Sequence, residues 1–150
     1  MTYATRADLE QRFGLAEIAD LARDEDGRIE TALADAAAEI DAALAALYVL
    51  PLEAVGGTVA DDAPDEPAAA TWPVLVHVAC NLARGNLYDD RESETVTLRK
   101  RSARAKLMAI AADKTGLVDG EGRRARRRET ARAEISGPAP VMTPDNLAGL

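Results

Sequence analysis

Residues 28–48, RIETALADAAAEIDAALAALY, decide the fold. Ile29, Leu33, Ala36, Ile40, Ala43, Leu44 and Leu47 recur at steps of three and four, which lines them along one face of a helix running from Arg28 to Tyr48. Alanine fills many of the other positions, so a neighbouring helix can approach closely. The rest of the chain points the same way. Hydrophobic residues make up 47% of it, yet only Tyr3, Phe13, Tyr48, Trp72 and Tyr88 are aromatic, which leaves Ala, Leu, Ile and Val to build the core. A chain of 150 residues is enough for one such core.

Upstream of that helix, ATRADLEQRFG (4–14) offers Thr5 as an N-cap, with Asp8 three residues on to return a bond and Gly14 to close the helix in αL geometry. A second short helix is expected from Leu15 to Ala22, ended by the turn chemistry of RDEDG. Downstream, YVLPLEAVGGTVADDAPDEPAAATWP (48–73) is acidic and carries three prolines before Trp72 and a paired glycine, so it reads as an unusually long loop. Thr71 and Pro73 fit the cap and first turn of another helix ending near Asp89, with Leu75, Val78, Ala79, Leu82, Gly85 and Asn86 sharing a face. A further helix is expected over about 92–112, with Val96, Ala103, Leu107, Ile110 and Ala111 inward, a basic outer face, and Gly116 as its stop.

The fold class expected is therefore all-α: a small bundle of about four helices with a long acidic loop. The body spans 1–118, with its loop at 53–71. VDGEGRRARRRETARAEI (118–135) is glycine-punctuated and arginine-dense with few apolar residues, so 119–133 reads as an excursion. Short strands are conceivable after Leu117 or around Glu134 and Ile135. The closing SGPAPVMTPDNLAGL (136–150) holds Pro138, Pro140 and Pro144, which forbid one continuous helix, so 134–150 is expected to be an extended C-terminal arm.

The formal net charge of −8 hides an asymmetry. Residues 1–66 carry 16 acids and 4 bases, whereas 67–150 carry 10 acids and 14 bases. Such polarity suits head-to-tail self-association, an acidic flank meeting a basic one, although a solvated acidic face accounts for any single cluster. No apolar run approaches the roughly 20 residues of a membrane span, so no membrane partner is expected. The opening MTYATRADLE lacks a basic stretch followed by an apolar one, and the lone Cys80 excludes an internal disulfide; a cytosolic product is expected.

Few residues suggest chemistry. Asp89, Asp90 and Glu92 could hold a divalent cation, but adjacent residues on a helix face different ways, and a helix ending in a solvent turn commonly carries such acids. His77 reads as a satisfied or partly exposed helix residue rather than a base, and Cys80 as a small buried side chain. Zinc-ligand spacing, G-x-G-x-x-G, P-loop and G-x-S-x-G motifs do not occur. No enzyme, cofactor or metal is expected. The strongest electrostatic signal is RRARRR, where Arg123, Arg124, Arg126, Arg127 and Arg128 could neutralise phosphates in a salt-dependent way. No aromatic is interleaved, so base stacking is not supported. A solvated loop, a DNA-backbone contact and a contact with the acidic half of a neighbouring copy all remain open.

Four stretches taken together resemble the small Mu-like prophage proteins of tailed phages that act as head-tail connector, or adaptor, subunits completing the head. They are MTYATRADLEQRFG, ALADAAAEIDAALAALYVLPL, WPVLVHVACNLARGNLYDDR and PVMTPDNLAGL. The matching motifs are Met-Thr-Tyr-Ala-Thr at 1–5, Ala-Asp-Ala-x-x-Glu-Ile-Asp at 34–41, Tyr-x-Leu-Pro-Leu at 48–52, and Ala-Cys-x-x-Ala-Arg-x-x-Leu-Tyr at 79–88. The acidic loop and the arginine run depart from the family pattern. The resemblance implies a ring of twelve copies beneath the portal protein at the virion neck, assembled from the host cytoplasm. It would continue the channel for packaged double-stranded DNA toward a stopper or tail-proximal neck protein. It also implies that the arm packs on the portal, with Pro140, Val141, Met142, Leu147 and Leu150 as anchors. The alternatives are a DNA-binding accessory or regulatory protein using the arginine run, and a metal-dependent nuclease using Asp89 and Asp90.

Overall fold

Thr5 begins the first helix as a reciprocal cap: its hydroxyl accepts from the Asp8 N–H, and the Asp8 carboxylate accepts from the Thr5 N–H at 2.7 Å. The computed structural model describes residues 2–23, 25, 27–55, 71–88 and 93–128. Among them are five helices: α1 (Arg6–Phe13), α2 (Leu15–Ala22), α3 (Arg28–Leu44), α4 (Pro73–Tyr88) and α5 (Glu94–Ala111). Two short strands, β1 (Ala54–Val55) and β2 (Arg124–Ala125), pair antiparallel with Ala54 opposite Ala125 and Val55 opposite Arg124. The protein is a small helical bundle, as the periodicity of 28–48 indicates. The two short helices expected before residue 28 are both present, as α1 and α2, and three longer helices follow. Among the described residues no helix is long and apolar enough to cross a membrane.

α4 is the central element. It packs on α3 along one side and on α5 along another, and α1 and α2 close over it. Leu75, Val78, Ala79, Cys80, Leu82, Ala83 and Leu87 are all buried, more of the helix surface than a single apolar stripe would supply. From α3 come Ile29, Leu33, Ala36, Ile40 and Leu44, and from α5 Ala103, Leu107 and Ile110. Small side chains permit this close approach. Gly85 belongs to it: a Cβ there would lie 2.6 Å from Cδ of Lys100, whose aliphatic stem crosses α4 at this point.

The helix ends differ from expectation in instructive ways. Gly14 has φ +95° but ψ +140°, so it turns the chain between α1 and α2 without being αL. α3 stops at Leu44 rather than continuing to Tyr48; Tyr48 instead bridges to Arg127. Trp72, not Thr71, supplies the carbonyl that opens α4, accepting from the N–H groups of Leu75 and Val76, and Pro73 is the first helical residue. α5 is capped by Ser93 and ends at Ala111, and the chain turns away at Asp113, φ +58°, three residues before Gly116, which therefore plays no part in the stop. An aspartate in the left-handed region is the rarer form of a stop that glycine usually provides. The Leu50–Pro51 peptide bond is cis. Residues 53–55, expected in the loop, include β1, and residues 56–70 lie outside the described part of the chain.

Candidate functional site

The arginine segment is hydrogen-bonded to the body along both edges. On one edge Arg126 N–H donates to Glu53 O at 2.8 Å, Val49 N–H to Arg126 O at 3.0 Å, and Arg128 N–H to Leu47 O at 2.9 Å. On the other edge Ala125 N–H donates to Leu117 O at 3.0 Å and Asp119 N–H to Arg123 O at 2.9 Å, with a bridge between Val118 and Arg124. Of the two places where the sequence allows a short strand, the one after Leu117 holds β2, at Arg124–Ala125, and the other, around residues 134 and 135, lies outside the described residues. Residues 119–128 of the stretch read as an excursion are built into the fold, and one of them, Ala125, is buried in the core. The turn is organised by Asp119, whose side chain is 1% exposed. Its Oδ1 accepts from the N–H groups of Arg123 (2.8 Å) and Glu121 (3.0 Å), and its Oδ2 from Arg123 Nε (2.7 Å). Burial would raise the Asp119 pKa, but the side-chain and backbone bonds from Arg123 and the Glu121 N–H outweigh it and hold it below the usual value.

These contacts change the electrostatics of the run. Arg123 pairs with Asp119, Arg126 with Glu53 at 3.1 Å, and Arg127 with both carboxylate oxygens of Asp113, one of them at 2.9 Å. Arg124 and Arg128 are exposed, with no ion pair among the described residues. Three of the five candidate arginines therefore spend part of their charge within the chain. Spacing alone could have revealed one of these pairs, since Asp119 and Arg123 are four residues apart across a glycine turn. The partners of Arg126 and Arg127 carried no local signal.

The outer face of α5 is basic, as expected, and it also displays apolar side chains. Arg99, Arg101, Arg104 and Lys106 are exposed there, together with Leu98 (55%) and Met108 (60%). Arg104 reaches Glu39 of α3 at 2.6 Å and 3.0 Å. The outer surfaces of α2 and α3 carry Asp20, Glu30 and Asp35, also exposed. Charge is thus divided between helix faces, not only between halves of the sequence.

His77 lies half-buried on α4, and Arg12 Nη1 donates to its Nδ1 at 2.6 Å. Its Nε2 faces Asn81 Nδ2 and Lys106 Nζ, each at 3.3 Å. Burial first, then the charges of Lys106 and Arg12, hold the imidazole below its usual pKa. His77 is partly exposed, as read from the sequence, but its cationic neighbours come from distant elements and were not foreseen. Cys80 is buried, and burial pushes its thiol up to about 11, which suits an inert core residue. Asp89, Asp90 and Glu92 lie outside the described residues, as do Pro140, Val141, Met142, Leu147 and Leu150. Among the described residues no group of three or more His, Cys, Asp or Glu side chains is placed to hold a metal ion.

Several side chains in the quoted motifs join one element to another. The Tyr3 hydroxyl donates to Asp41 of α3. Arg84 of α4 reaches Glu17 of α2 through Nε at 2.7 Å and Nη2 at 2.6 Å, and the Tyr88 hydroxyl donates to the same carboxylate at 3.0 Å. The Arg84 guanidinium also stacks 4.5 Å from the Phe13 ring centre. The sequence matches no curated protein. The family model described as Bacteriophage Mu, Gp36 matches residues 3–135, a span that takes in every helix and strand described above, and the chain belongs to that family.

Proposed function

We propose that this phage protein is a structural head-tail connector, or adaptor, subunit. Twelve copies form a ring under the portal protein, dock on it through the C-terminal arm, residues 134–150, and continue the channel for packaged double-stranded DNA toward a stopper or tail-proximal neck protein. Assembly takes place in the host cytoplasm and the product resides in the virion neck. Catalysis, cofactors and metals have no part in this role.

The observation that carries it is the division of charge between outer helix faces in a member of a phage family. An acidic α2–α3 surface and a basic α5 surface bearing Leu98 and Met108 are different patches on one body, so contact between them is heterologous and closes into a ring when the rotation permits. Methionine and arginine are also enriched at protein interfaces. The C-terminal segment supports docking through its composition: prolines stiffen it, so less conformational freedom is lost on binding, and Val141, Met142, Leu147 and Leu150 supply apolar anchors. A DNA-binding accessory role through residues 123–128 has weaker support, because three of those arginines are paired within the chain.

The test is the mass of the purified protein, alone and mixed with its cognate portal, by light scattering behind a sizing column. Co-elution as one large ring complex is expected, and truncation after Ser136 should leave the helical body folded while abolishing attachment. A truncated protein that still joins portal rings would overturn the docking role of the arm.

A further inference from the structure

Between α1, α4 and α5 lies a cleft of about 380 Å³ lined by Arg12, Phe13, His77, Asn81, Arg99 and Ser102. No carboxylate is among these residues. Lys106 stands beside them, its ammonium 3.3 Å from His77 Nε2. One carboxylate near Arg12 in the sequence, Asp8, is occupied in capping α1.

Hydrogen-bond accounting shows what the cleft lacks. Arg12 donates to Nδ1, so the neutral ring carries its proton on Nε2. That N–H then faces two further donors, Asn81 Nδ2 and Lys106 Nζ. The amide cannot relieve the conflict by exchanging its oxygen and nitrogen, because Nδ2 also donates to the His77 carbonyl at 2.8 Å. Arginine and lysine add donors and offer no lone pair. Cations and donors thus converge from three helices on a space with too few acceptors.

We infer that this cleft binds a phosphate group, free or within a nucleic-acid backbone, held by Arg12, Arg99, Ser102 and Lys106 beside the His77 ring. Donors approaching from three helices suit a tetrahedral oxyanion, which presents acceptors in every direction, better than a planar carboxylate with two oxygens. Phe13 is the one apolar side chain of the lining, and its ring is held by the Arg84 guanidinium, itself paired with Glu17. The site is independent of the arginine run at 123–128, and it stands whether or not the protein forms a connector ring.

His77 is the one histidine in the chain, so its ring protons give an isolated NMR signal that reports directly on the cleft. The full-length protein is titrated at constant pH with inorganic phosphate, with chloride and acetate at matched ionic strength as references. A saturable shift of the His77 signal with phosphate alone is expected. Arg99→Ala should weaken that binding about tenfold, the effect of one lost charge-assisted hydrogen bond. Arg12→Ala combined with Arg99→Ala should abolish it; the exposed Arg99→Ala variant alone keeps the test open if the double variant does not fold. A short DNA duplex forms the second arm. The same shift at lower concentration identifies a backbone phosphate as the ligand, whereas a response to inorganic phosphate only identifies the free ion. A signal that moves equally with phosphate, chloride and acetate, or a phosphate shift unchanged in Arg99→Ala, overturns the proposal.

Discussion

Tyr3 and Asp41 share a hydrogen bond across a separation of 38 residues, and Arg84 and Tyr88 converge on Glu17 from another helix. Residues that carry the family pattern thus act here as fasteners between elements. His77 is different, since burial first and then its cationic neighbours Lys106 and Arg12 disfavour its charge. Because its folded pKa is depressed, the unfolded chain takes up a proton first as the pH falls below about 6.5, the ordinary imidazole value. The stabilising contribution is complete above that pH and is lost as the pH drops toward the folded pKa. Urea midpoints measured from about pH 7 to 5 should therefore fall with acid in the wild type and change less in His77→Gln. Glu39 and Asp119 are also held below their usual values, but their windows open only under about 4.5 and 3.8, so the histidine step stands apart.

Among elements, the junction of α2 with α4 rests on Arg84, whose side chain is 11% exposed. Arg84→Met keeps the apolar stem and loses the ion pair with Glu17 and the stacking on Phe13, a loss of about 2 kcal/mol in urea unfolding. A loss no larger than that of an ordinary surface substitution, about 0.5 kcal/mol, would show that the α1–α2 pair is held by apolar packing alone. The elements themselves were readable because they depend on local periodicity and capping. Leu15–Ala22 matches its expected bounds, and the Thr5 and Asp8 box formed as spelled out. What escaped the reading was non-local. The truncation of α3 reflects the recruitment of Tyr48 by Arg127, 79 residues on, and the arginine run became a strand because backbone partners were waiting on both sides. Arginine density announced charge, but not that Asp113, Asp119 and Glu53 would absorb part of it.

For the molecule as a whole, the outer face of α5 is the surface on which the ring proposal can be tested without disturbing the fold. Leu98 and Met108 are exposed in the single chain, so Leu98→Asp with Met108→Asp should alter stability by no more than about 0.5 kcal/mol per site. Light scattering should nevertheless show a monomer where the wild type forms rings with portal. A ring of undiminished mass would move the subunit contact to another face. The central position of α4 has a further consequence. Because α3 and α5 flank it and its buried residues run from Leu75 to Leu87, its amide hydrogens can meet solvent only when the body comes apart. Deuterium uptake in mid-α4 will therefore measure the global unfolding free energy, while uptake in the short α1 will register local fraying, so one exchange experiment can separate a substitution that weakens the whole from one that loosens an edge.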